Sequence, residues 1–136
     1  MVRDIMRDPL FLARKSVPAT KDDISIGRDL MDTLKAHREG CVGMAANMIG
    51  ESKCVIIVNM GFLDLVMFNP VITKKEGRYV TEEGCLSLTG QRQAIRWETI
   101  EVEYTDMNWN KKVQTFRGFP AQIIQHEIDH CNGVLI

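Results

Sequence analysis

The sequence predicts an α+β fold: helical segments near both ends of the chain, with short antiparallel strands between them. Three observations carry this. Apolar residues recur at helical spacing in Ile26, Leu30 and Leu34, and again around Ile123 to Cys131. Between them lie β-branched runs and an alternating apolar–polar stretch, separated by Gly, Asn and Pro. Finally, 136 residues suffice for one domain with a true core and are too few for two ordinary ones, so a single domain over 1–136 is expected.

Along the chain, Asp8-Pro9-Leu10-Phe11-Leu12 offers a short apolar anchor across the domain surface. Asp22 and Asp23 provide an N-cap and Gly40 a stop, which places the first long helix at roughly residues 23–38. Gly40 to Gly50 gathers small residues, as a tight packed turn or a substrate-contacting loop would; it has neither the P-loop lysine nor the dinucleotide glycine spacing. Cys54 to Asn59 reads as a buried strand, and Leu65 to Phe68 as the next, ended by Asn69-Pro70. Val71 to Thr73 and Arg78 to Val80 read as further short strands around Gly77. Thr99 to Tyr104 alternates like a half-exposed strand, and Asn108-Trp109-Asn110 turns into Lys112 to Phe116. Pro120 opens the last helix and Gly133 closes it.

Composition narrows the function. A hydrophobic fraction of 45%, a charged fraction of 26% and a net charge of −1 are those of an ordinary globular chain, with no electrostatic case for nucleic acid or a membrane surface. No apolar run approaches a membrane span and no signal peptide is visible, so a cytoplasmic protein is expected. The four cysteines, Cys41, Cys54, Cys85 and Cys131, have no C-x-x-C spacing and read as free thiols, with any special one recruited to a metal or to catalysis.

The chemistry concentrates in Gln125-His126-Glu127-Ile128-Asp129-His130. Two histidines four residues apart project from one helix face, so both rings can reach one metal ion while the glutamate between them moves a proton. Ile123, His126, Glu127 and His130 form one stripe, beside an apolar stripe of Ile124, Ile128 and Cys131, which predicts a deeply packed helix. A catalytic metal site needs a third protein ligand, and Cys85 in Glu83-Gly84-Cys85-Leu86-Ser87 is the candidate.

Taken together, E-G-C-L-S, Q-H-E-x-D-H and the Gly43-Met44-Ala45-Ala46 loop closely resemble peptide deformylase, in that family's order and over nearly the whole chain. The resemblance implies short antiparallel sheets around a central helix carrying H-E-x-x-H. It implies hydrolytic removal of the formyl group from the N-terminal formylmethionine of nascent polypeptides, association with the ribosome, and one divalent ion: Fe2+ in the cell, with Zn2+ or Ni2+ as substitutes. By the same resemblance Cys85, His126 and His130 are the metal ligands. Glu127 is the general acid/base, and the Leu86 backbone N–H donates to the developing oxyanion. The peptide is expected to lie as an added strand against Val42 and Gly43, with Gly84 and Leu86 opposite. Val42, Ile123 and Gln122 would form the methionine pocket, and Arg92 would sit near the bound peptide.

The chain departs from that family in its first motif, usually G-x-G-x-A-A-x-Q. Cys41 replaces the first glycine and Met48 the final glutamine. Methionine cannot donate a hydrogen bond. A catalytically weak paralogue that binds metal and peptide is therefore the alternative to an active enzyme. Ile95-Arg96-Trp97 stands where many relatives have V-P-R, so the basic partner of Asp129 is expected to be lost or moved. A zinc peptidase would explain H-E-x-x-H but leaves the other two motifs without a purpose.

Overall fold

The computed structural model describes residues 1–136. Three helices, α1 (Pro9–Leu12), α2 (Ile24–Ala36) and α3 (Gly118–Cys131), accompany one five-stranded sheet. Its strands are β1 (Gly43–Ala45), β2 (Val55–Asn59), β3 (Asp64–Cys85), β4 (Leu88–Thr105) and β5 (Lys111–Arg117). They lie in sequence order and every neighbouring pair is antiparallel. No helix is long and apolar enough to cross a membrane.

Three expectations about strands are corrected. There is one sheet, and β3 and β4 are long, with 22 and 18 residues. Asn69-Pro70 is expected to end a strand, yet β3 runs through it with a register shift between Phe68 and Val71. Asn69 takes a positive φ of 53° and is held there by Ala19, whose N–H donates to Oδ1 and whose carbonyl accepts from Nδ2, at 2.8 and 2.9 Å. Gly77 reads as a break, yet the pairs Glu76–Thr99 and Arg78–Trp97 continue on either side of it. Local breakers lose here to a ladder that spans the whole hairpin.

The sheet has a helix on each face. Val55 and Ile57 of β2 pack with Leu30 and Leu34 of α2, while Ile56 and Val58 pack with Ile123 and Ile124 of α3. A strand buried on both faces has no polar positions, which is why Val55-Ile56-Ile57-Val58 reads as one continuous apolar run. The expected anchor at 8–12 is α1, which Asp8 caps through Leu10 N–H at 3.0 Å; Leu12 is fully buried. Residues preceding α1 strap the segments around Met48 and Leu86. The Met6 N–H donates to the Met48 carbonyl at 2.7 Å and Arg7 Nη1 to the Leu86 carbonyl at 2.8 Å. At the other end of the sheet, β5 is paired on one side only and carries Lys111 and Lys112 at its start.

Candidate active site

α3 supplies most of the site. It begins at Gly118 rather than at Pro120, which sits inside the first turn where its missing N–H costs nothing. It ends as expected at Gly133, whose φ of 76° lets the Gly133 N–H reach the His130 carbonyl (3.0 Å) and Val134 N–H the Asp129 carbonyl (2.9 Å). The His130 carbonyl also accepts from Asn47 Nδ2 at 2.9 Å, so the Asn47 side chain points to the helix end and away from the cavity. His126, Glu127 and His130 are all buried.

The third group arrives from β3. Its last residue is Cys85, and a register shift between Gly84 and Cys85 bends the strand end toward α3. Cys85 Sγ lies 3.3 Å from His130 Nε2, which lies 3.2 Å from His126 Nε2. The ligand atoms of these three residues fall within 4.8 Å of one another, a cluster that one ion could bridge.

The surrounding charges fit a cation at that point. Burial disfavours a charged His126, but hydrogen bonds with Cys85 and Glu83 outweigh it and hold its pKa up to about 10. Glu83 set against the His126 ring, with the Cys85 sulfur and both imidazoles in one cluster, makes a donor set that suits a divalent ion. His130 is the opposite case: burial and the neighbouring His126 push it down to about 3, which keeps an imidazole lone pair available. The His126 Nδ1 contact with Glu83 Oε1 at 2.7 Å fixes the ring and turns Nε2 into the cluster.

Glu83 is the centre of a buried network that the sequence does not announce. Arg96 Nη2 and Nε donate to its two oxygens at 2.6 and 2.9 Å, and Gln122 Nε2 donates at 2.8 Å. Burial alone would raise its pKa, but the bonds from His126, Arg96 and Gln122 hold it down to about 2. Arg96 Nη1 also donates to Asp129 Oδ2 at 2.8 Å. The basic partner of Asp129 is thus moved and not lost: Arg96 stands on β4 beside β3, one place earlier than the arginine of V-P-R, and its guanidinium still reaches Asp129. Gln125 fastens the same strand to α3, accepting from Trp97 N–H and donating to the Trp97 carbonyl, both at 2.8 Å. Two signals could have revealed these residues: Gln122 precedes His126 by one helical turn, and Glu83 precedes Cys85 by one strand repeat.

A cavity of about 260 Å³ opens over the cluster. Cys41, Val42, Gly43 and Met48 form one wall, and Glu82 through Leu86 the facing one. Phe119, Gln122, Ile123, His126 and Glu127 of α3 form its floor. The expected peptide-contact residues Val42, Gly43, Gly84, Leu86 and Ile123 are therefore together. Arg92 is not among the lining residues; its guanidinium donates to the Thr89 carbonyl at 3.3 Å within the β3–β4 hairpin. Glu127 is wholly enclosed, which pushes its pKa up to about 7, and its Oε1 has no hydrogen-bond partner. An unpartnered buried oxygen on a carboxylate that lines a cavity suits a proton carrier more than a structural carboxylate. Met48 is buried, and its Sδ accepts from its own loop, the Ala45 N–H, at 3.4 Å.

Comparisons with known proteins agree with one another. A family model described as polypeptide deformylase matches residues 3–136. The peptide deformylase of Clostridium beijerinckii is 56% identical over 136 residues, the full length of both chains. A crystal structure of class I type b peptide deformylase from Acinetobacter baumannii matches with a TM-score of 0.88 and 33% identity, over 99% of this chain and 97% of that one. The Met-Ala-Ser-bound structure of that enzyme gives a TM-score of 0.86 and 31% identity, with the same shares covered.

Proposed function

The chain belongs to the peptide deformylase family, and we propose on that premise how its own residues carry out the family's reaction. The protein is a hydrolase that removes the N-formyl group of nascent peptides, releasing formate. Formylmethionyl peptides are its substrates. We place it in the cytoplasm, near the ribosome that makes those peptides, as one deformylase-like domain.

Cys85, His126 and His130 would hold the divalent ion. When bound there, it would supply Lewis acidity, acidifying a water and polarising the formyl carbonyl. A thiolate with two imidazoles suits a borderline ion, and we assign ferrous iron in the cell, with zinc or nickel able to replace it. Oxygen-dependent loss of activity in the iron form, absent from the zinc form, supports this assignment; equal activity of the two after aerobic purification counts against it.

Glu127 moves the protons. It takes one from the attacking water as that water adds to the formyl carbon, and delivers it to the departing amine. A pKa near 7 suits both halves of that transfer. Leu86 donates its backbone N–H to the oxygen that becomes negative. Glu83, tied by Arg96 and Gln122, keeps His126 oriented. The methionine side chain enters beside Val42, Gln122 and Ile123, and the peptide backbone runs along Gly43 with Gly84 and Leu86 facing it. The observation that carries this reading is the meeting of a strand-end thiol, two helix imidazoles and a buried partnerless carboxylate oxygen at one cavity.

Met48 supports the second reading, a weak enzyme retained for binding. An apolar side chain whose sulfur is engaged with Ala45 leaves the formyl oxygen without a side-chain donor. Loss of one such donor typically lowers turnover by on the order of 10²–10³. Formate release from a formyl-Met peptide by freshly iron- or nickel-loaded protein tests both. We expect low but measurable turnover, a gain with Met48→Gln and near-complete loss with Glu127→Ala. No gain with Met48→Gln would mean that the loop does not act as the family's first motif does.

A further inference from the structure

The catalytic cavity continues into a second hollow of about 610 Å³; Gly40 and Leu86 line both. The rest of the second hollow is built from the end of α2 and the turn after it: Lys35, His37, Arg38 and Glu39. A peptide paired with β1 would run between the two. β1 pairs with β2 on one side, and its Gly43 lines the cavity on the other. Met44 through Ile49 are each at most 3% exposed, so no chain can leave past them. Gly40 and Val42 are exposed. A peptide that pairs with Gly43 antiparallel to β1, with its first residue at the Cys85–histidine cluster, leaves past Val42 and Gly40. At about 3.3 Å per residue, its third and fourth residues arrive where the second hollow opens.

Charge at that point is net positive. Lys35 has no ion-pair partner, and Arg38 binds Asp64 while remaining half-exposed. Arg7 adds a guanidinium at the border by donating to the Leu86 carbonyl at 2.8 Å. Against these three cations stand Glu39 in the hollow and Asp64 beneath Arg38. Glu82 lies on the opposite wall of the first cavity and does not line the second.

We propose that this hollow is a downstream subsite that favours acidic side chains at the third and fourth residues of a formylated peptide, with Lys35 as its principal contact. The proposal rests on the deformylase reading and adds a substrate preference to it. Surface charges of this kind act through attraction before the chemical step, so the effect belongs in KM and not in kcat.

The test is formate release from formyl-Met-Ala peptides extended by two Asp, two Ala or two Lys, with the unextended formyl-Met-Ala dipeptide as reference. For the native chain, kcat/KM for the Asp peptide should exceed that for the Ala peptide by about two- to fivefold, with the Lys peptide below both. The preference should shrink toward unity in about 0.5 M salt. Lys35→Glu should reverse the order of the Asp and Lys peptides. Equal values for the three extended peptides, with the dipeptide still turned over, overturn the subsite and leave the deformylase reading standing. No release from any of the four, the dipeptide included, overturns that reading and the subsite with it.

Discussion

A methyl group added at Gly43 would lie 2.6 Å from Ile123 Cγ2, 2.9 Å from Glu127 Oε2 and 3.1 Å from the Ile57 carbonyl. The position is glycine because a strand, a pocket wall and the Glu127 carboxylate converge on it. Gly43→Ala should lower turnover and destabilise the chain by about 1–3 kcal/mol, as overpacking does. Formate assays and urea melts of the same preparation check both. Cys41, at the same wall, gives a prediction about pH. Its thiol donates to the Gly43 carbonyl at 2.9 Å, and burial holds its pKa up to about 11. Because the thiolate is the reactive form, a raised pKa keeps Cys41 inert at neutral pH and lets it react only as pH climbs toward 11. Peptide mass mapping after iodoacetamide treatment should find it nearly unmodified at about pH 7. At this scale the grouping of His126, Glu127 and His130 was legible, because helical spacing alone places them on one face. Glu83 and Arg96 were not, because their meeting depends on the register between two strands that the sequence does not state.

The elements show where local reading fails. β3 and β4 read as fragments because Asn69-Pro70 and Gly77 are ordinary breakers, but a breaker needs only one compensating contact to be absorbed into a ladder. Ala19 provides it at Asn69, and a bulge accommodates the proline. The hairpin matters for the site because it brings Arg96 on β4 between Glu83 on β3 and Asp129 on α3. Removing Arg96 from this buried set takes away the only arginine that Glu83 and Asp129 share and leaves Glu83 with His126 and Gln122 alone. Arg96→Ala should therefore cost about 3–5 kcal/mol in thermal or denaturant melts. It should also weaken retention of the ion, since Gln122 alone would then brace Glu83 against His126. Arg96→Lys should recover only part of this, because an ammonium cannot fork across two carboxylates.

At the scale of the molecule, one sheet separates two apolar layers, and the cavity opens where the α3 layer meets the short β1 edge. The fold class was legible because helical and strand periodicities are local. The single sheet, its order and the long central hairpin were not, since they arise from pairings between distant residues. β5 closes the opposite side of the sheet with only one partner, and residues 111–115 along it are all exposed. Such a free row of amides is an invitation for a second molecule to stack, and the paired lysines at its start are the charge that turns strangers away. Replacing Lys111 and Lys112 by threonine should leave folding intact yet make light scattering grow with concentration, turning a dispersed protein into one that clusters strand to strand.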